Sequence, residues 1–189
     1  MKKAFFLDRD GVIIHDADYL SRPEDVELIP GIIEALQKIH EAGYLAVAVS
    51  NQSGIARGYF TMEDLAKVEE KIDSLLAEKG EKIDKWYYCP HHPKGKVAEY
   101  AVECSCRKPA PGMILEAVKD LNIDVKGSFI IGDKLSDIKS GIRAGVKGYA
   151  KVATGHGSEE EKEEAPPDMI RSDSILPAVT ALLAGEKNI

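Results

Sequence analysis

Lys3-Ala4-Phe5-Phe6-Leu7-Asp8-Arg9-Asp10-Gly11 decides how the chain is read. Ala4 to Leu7 form an apolar run without polar alternation, the pattern of a strand buried on both faces. The run ends in an acid, a base and a second acid. On a strand or gentle turn, positions 8 and 10 point the same way and Arg9 points elsewhere. Two neighbouring carboxylates repel, which pushes one toward its protonated form unless a cation intervenes. The pair therefore suits an Asp8 kept ionised for attack by a divalent cation, and an Asp10 that carries a proton for a leaving oxygen. The plain alternative is a loop whose acids merely cap a turn. Gly11 lets the backbone turn close to a bound anion.

Outward from this stretch, strand-like and helix-like segments alternate. Strands are predicted at 3–8, 44–49, 85–88, 128–131 and 147–152. Helices are predicted over Ile32 to Ala42, after Thr61 with Asp64 three residues on, and over 112–121, 135–144 and 174–184. Such alternation predicts an α/β fold, a doubly wound parallel sheet with helices on both faces. Ligands of such sheets bind beyond the carboxyl ends of the strands. The polar residues there are Asp8 and Asp10, Ser50 and Asn51, and Asp133. The acidic, Pro-containing stretch Gly157 to Pro167 reads as a solvated surface loop.

Length and composition bound the function. The chain has 189 residues, 44% hydrophobic and 30% charged, as expected of one soluble domain spanning 1–189. A net charge of −7 disfavours nucleic acid as the partner, since no basic stripe meets a phosphate backbone. No apolar run approaches a membrane span, and the apolar stretch before Asp8 is too short for a secretory signal. The three cysteines lie between Cys89 and Cys106, which points to a metal site in a reducing, cytoplasmic compartment.

Two further groups carry chemistry. Ser50 brings a hydroxyl, with backbone N–H donors after it, to a strand end, which suits phosphoryl oxygens. Lys108, stiffened by Pro109 and Pro111, is a point charge for a transferring phosphoryl group, and Arg107 offers a planar fork beside it. Arg57 serves either substrate or surface. Asp133 is a hard oxygen ligand for Mg²⁺; Asp137 orients a metal-bound water, holds a lysine, or simply favours the helix dipole. Cys89, His91, Cys104 and Cys106 form the ligand set of a closed, structural Zn²⁺ site in the loop 89–106, with His92 as the alternative histidine. This knuckle ends directly at Arg107-Lys108.

Asp8-Arg9-Asp10-Gly11-Val12 resembles the first motif of the haloacid dehalogenase superfamily of phosphatases. Ser50-Asn51-Gln52-Ser53-Gly54 resembles its second motif, Lys108 within Cys106-Arg107-Lys108-Pro109 its third, and Gly132-Asp133 with Asp137 its fourth. The order matches over about residues 3–150. Within the superfamily the chain looks like the heptose 1,7-bisphosphate 7-phosphatases, with histidinol-phosphate phosphatases as near relatives; the 12 residues between His91 and Cys104 resemble the longer loop of the heptose type. Ser50 stands where many members have threonine, and Val12 where threonine is common.

The resemblance implies a Rossmann-like fold without a large cap domain. It also implies Asp8 as nucleophile, Asp10 as general acid and base, and Mg²⁺ held by Asp8, the Asp10 carbonyl and Asp133. Substrate contacts would come from Asp16, Ala17, Asp18, Tyr19, Ser50, Asn51, Gln52, Ser53, Arg107, Lys108 and Lys134. The substrate implied is a small phosphorylated sugar that loses its C7 phosphate, feeding nucleotide-activated heptose for a lipopolysaccharide-type glycan. A monomer is expected. The non-enzymatic alternative is a zinc-stabilised binding protein.

Overall fold

A computed structural model describes residues 1–158 and 164–186. Six parallel strands form one sheet: β1 (Lys3–Leu7), β2 (Tyr44–Asn51), β3 (Lys85–Cys89), β4 (Phe129–Gly132), β5 (Gly148–Val152) and β6 (Ile170–Ser172). Their spatial order is β3-β2-β1-β4-β5-β6. The order reverses between β1 and β4, so the crevice of a doubly wound sheet opens at the carboxyl ends of those two strands. Asp8 follows β1 and Asp133 follows β4.

Side-chain alternation along the central strand feeds two cores. Phe5 and Leu7 pack on one side with Ala46, Ala48, Phe129 and Ile131. That side is covered by α1 (Ile32–Glu41), α2 (Met62–Ala77) and α5 (Ile175–Glu186). Ala4 and Phe6 join Val47, Val49 and Ile130 on the other side, under α3 (Gly112–Leu121), with α4 (Leu135–Ala144) packed beside α3. Both sides of β1 are dry, as its unbroken apolar run predicts.

Helix boundaries follow local chemistry. The Thr61 hydroxyl accepts the Asp64 N–H at 3.1 Å while the Asp64 carboxylate accepts the Thr61 N–H at 2.9 Å, a capping box that starts α2 where the sequence predicts. Strand β2 runs two residues beyond the predicted 44–49. Strand β6 has no counterpart in the sequence reading: with three residues at a sheet edge it is too short to show a period. Of the acidic stretch read as a surface loop, residues 159–163 lie outside the described residues. Among the described residues no helix is long and apolar enough to cross a membrane.

Candidate active site

The sheet pairing of β1 with β4 continues one step past the strand, where the Asp8 N–H donates to the Ile131 carbonyl at 3.1 Å. The chain then doubles back, with the N–H groups of Ile13 and Ile14 donating to the Arg9 carbonyl. Gly11 sits at φ +83°, and a Cβ there would lie 2.9 Å from Asp133 Oδ2. Only glycine lets this turn close over the acid from β4. The Thr154 hydroxyl donates to the Gly11 carbonyl, which ties the loop after β5 to the same turn.

Lys108 reaches the centre from the segment after the knuckle. Its Nζ donates to Asp8 Oδ1 at 2.9 Å and to the Val49 carbonyl at 2.7 Å, and lies 2.6 Å from Asp137 Oδ1. Asn51 holds the lysine's main chain from both sides, donating to the Lys108 carbonyl at 3.1 Å and accepting its N–H at 3.0 Å. The other Asp137 oxygen accepts the Lys134 N–H at 3.0 Å at the start of α4. Asp137 thus holds the lysine and sits as the first-turn acid of α4, two of the three roles open to it from sequence, and it caps that helix besides. A Cβ at Gly132 would lie 2.2 Å from Asp137 Cβ, so the strand end must be glycine for this acid to approach.

Three carboxylates, Asp8, Asp133 and Asp137, share this buried centre within 4.8 Å of one another, against one buried ammonium. Burial pushes the Asp8 carboxyl up, Lys108 pulls it down and Asp137 pushes it up again; the net direction is up. Burial opposes the charge on Lys108, but Asp137 and Asp8 outweigh it and keep it protonated. Asp133, fully buried, is pushed up to about 9, by burial first and then by Asp8 and Asp137. Its Oδ2 accepts the His156 N–H at 3.0 Å, while its Oδ1 is buried without a partner. An orphaned buried carboxylate oxygen beside a surplus of negative charge fits a divalent cation bound through oxygen.

Arg9 does not point away from the acids, as strand alternation predicts. The chain has already turned, and the guanidinium, 1% exposed, folds back over Asp10. Arg9 Nη2 lies 3.0 Å from Asp10 Oδ1, and Gln52 Nε2 donates to Asp10 Oδ2 and to Ser50 Oγ, each at 2.9 Å.

Above this centre opens a cleft of about 540 Å³, with Asp16, Asp18, Tyr19, Asn51, Gln52 and Ser53 in its wall. Arg57, Arg107 and Lys134 add positive charge to the same lining. Ser50 and Asp133 are buried and form no part of that lining, and Ala17 is exposed outside it. His156, from the loop after β5, places its Nε2 3.0 Å from Asp16 Oδ2 and 3.5 Å from Asp18 Oδ1. The sequence reading missed Arg9 as a partner of Asp10 and missed His156 altogether. The only local signal for His156 was its place after Thr154-Gly155 at a strand end.

Beside the cleft, the four knuckle residues converge. Cys89 Sγ lies 2.9 Å from Cys106 Sγ and 3.5 Å from Cys104 Sγ, and Cys104 and Cys106 are 3.4 Å apart. His91 Nδ1 lies 3.3 Å from Cys106 Sγ and 3.6 Å from Cys89 Sγ. The cysteines form no disulfide. Four donors about 2.3 Å from zinc would stand roughly 3.7 Å apart, a few tenths of an ångström beyond most of these separations and well beyond the Cys89–Cys106 one, so the donor set fits zinc once that pair spreads. His92 pairs elsewhere, with Nε2 3.2 Å from Arg57 Nη2 and Nδ1 accepting the Lys94 N–H, and His91 is the histidine grouped with the three cysteines.

A family model described as HAD-hydrolase-like matches residues 105–181. The chain is 46% identical over 177 residues to D-glycero-beta-D-manno-heptose-1,7-bisphosphate 7-phosphatase of Pasteurella multocida, covering 94% of this chain and 96% of the relative. It is 42% identical over 174 residues to the enzyme of the same name from Escherichia coli K12, covering 92% and 91%. The solved structure of D,D-heptose 1,7-bisphosphate phosphatase from B. bronchiseptica, complexed with magnesium and phosphate, superposes with a TM-score of 0.84 at 30% identity, covering 97% of this chain and 99% of that one.

Proposed function

The chain belongs to the HAD-like hydrolases, in the family of the heptose 1,7-bisphosphate 7-phosphatases, and from that premise we propose that it removes the C7 phosphate of D-glycero-D-manno-heptose 1,7-bisphosphate. One observation carries this reading. The Asp8 carboxylate is held by Lys108 on the floor of a cleft whose lining bears Arg57, Arg107 and Lys134, so a nucleophile faces a pocket charged for a second phosphate.

Asp8 attacks phosphorus and the sugar oxygen departs, leaving an aspartyl-phosphate. Asp10 gives its proton to that oxygen, then takes one from the water that hydrolyses the intermediate. Lys108 and Ser50 stabilise the phosphoryl oxygens as charge develops on them. Asp16, Asp18, Tyr19, Asn51, Gln52, Ser53, Arg107 and Lys134 surround the sugar and its second phosphate, and Ala17 belongs to the loop that carries Asp16 and Asp18. Asp8, the Asp10 carbonyl and Asp133 would hold Mg²⁺, which when bound supplies positive charge to the phosphoryl group. Cys89, His91, Cys104 and Cys106 would hold Zn²⁺ with no position left for water, so its role is to fix the loop that ends at Arg107-Lys108.

This reading makes the protein a cytoplasmic monomer acting on a free sugar phosphate in nucleotide-activated heptose synthesis. The test is phosphate release from both anomers of the bisphosphate, with histidinol phosphate as control. Preference for a heptose anomer is expected; faster turnover of histidinol phosphate would overturn it.

A further inference from the structure

We propose that Arg9 is a positioning residue for departure of the leaving group: together with Gln52 it fixes the Asp10 carboxyl in the orientation from which its proton reaches the departing oxygen. The inference rests on the reading of Asp10 as general acid. Two side chains, Arg9 and Gln52, close a ring with that acid. Arg9 Nε lies 3.2 Å from each Asp10 oxygen and Nη2 lies 3.0 Å from Oδ1. Arg9 Nη2 also donates to Gln52 Oε1 at 3.3 Å, and Gln52 Nε2 returns to Asp10 Oδ2 at 2.9 Å. The Asp10 carboxyl plane is thereby set by donors to both oxygens. Asp8, its neighbour two positions away, takes its side-chain donor from Lys108 instead.

Packing alone does not explain this arginine. Among the described residues it is the largest of the fully buried side chains, and its Nη1 is buried without a partner. A buried guanidinium with an unmet donor is a poor stabilising device next to an apolar side chain of similar volume. What the fork supplies is direction, since it is planar and meets a carboxylate along two lines at once. In the step itself, a bond forms from an Asp8 oxygen to phosphorus as the bond from phosphorus to the sugar oxygen breaks. The Asp10 proton passes to that oxygen, and the carboxylate left behind faces Arg9.

Leaving groups separate this role from others. The oxygen of p-nitrophenyl phosphate departs as a stable anion and needs little help from an acid, whereas a sugar oxygen needs a proton. The measured quantity is kcat/KM of the Mg²⁺-loaded enzyme on the heptose bisphosphate and on p-nitrophenyl phosphate, for wild type, Arg9→Gln and Arg9→Lys. Arg9→Gln is expected to lose at least about 10-fold more on the sugar phosphate than on the aryl ester, and Arg9→Lys, which keeps the charge but not the planar fork, to shift the ratio the same way. Equal losses on both esters would overturn the proposal, because Arg9 would then serve the phosphoryl group or the fold alone. Should Arg9→Gln fail to fold, the Arg9→Lys ratio decides. Wild-type protein that hydrolyses neither ester would instead sink the phosphatase reading, and this inference with it.

Discussion

Asp137 Oδ1 lies 2.6 Å from Lys108 Nζ, and the other oxygen of the same carboxyl caps α4. One side chain therefore joins the segment after the knuckle to the helix after β4. The lysine it holds is the same one that contacts Asp8. Loss of the charge at 137 should be felt at the nucleophile without any change in what touches substrate.

Asp137→Asn keeps an oxygen for the cap but removes the charge that holds Lys108. Asp8 remains as a partner, so the cost to stability is expected at up to about 3 kcal/mol, the low end for breaking a buried pair. Turnover is expected to fall by about 10²-fold. Urea unfolding and steady-state kinetics check the two parts separately.

Asp8→Asn should abolish turnover, by about 10⁴-fold or more, because the amide oxygen does not attack phosphorus. Lys108 keeps Asp137 and the Val49 carbonyl, so the fold is expected to survive. Circular dichroism and a phosphate-release assay on one preparation suffice. Substantial residual activity would reject Asp8 as nucleophile.

The knuckle is open to metal analysis. The purified protein should carry about one zinc per chain, and Cys104→Ser or a strong chelator should remove it. The loop 89–106 would then lose its anchor and its proteolysis should accelerate, while KM rises as Arg107 and Lys108 shift. Unchanged zinc content in the Cys104 variant would reject the ligand set.

Far from the site, His40 bridges two acids, with Nδ1 2.8 Å from Glu81 Oε2 and Nε2 3.0 Å from Asp84 Oδ2. Burial acts to raise the Asp84 carboxyl, but the Ala46 N–H, His40 and Lys82 outweigh it and hold it below its ordinary value. A depressed carboxylate contributes stability that is present above its unfolded pKa and lost as pH falls through the folded one. Asp84→Asn should therefore lower the urea midpoint at pH 7, and the gap to wild type should close as pH falls below about 4. A gap that persists unchanged at low pH would reject the linkage.

The elements were largely legible in the sequence. Apolar runs marked β1 and β2, and Thr61 with Asp64 marked the start of α2, because period and capping are properties of neighbouring residues. The motif positions Asp8, Ser50, Lys108 and Asp133 were legible for the same reason, each lying beside a strand end or a proline. Arg9 was misread because alternation was carried one residue past the strand, into a turn that Gly11 closes. His156 was missed because its partners Asp16 and Asp18 belong to a distant loop that its own surroundings do not announce.

By itself, then, the sequence determined the order and type of the elements, the parallel sheet and the inventory of acids, thiols and cations at its rim. Those depend on local spacing, which a chain displays before it folds. The tertiary structure decided which members of that inventory touch: Lys108 with Asp8 across 100 positions, Arg9 with Gln52 across 43, and His91 rather than His92 in the knuckle. Such pairs form only once two packed cores bring the strand ends side by side. Their partners are chosen by distance in space, which no local pattern encodes.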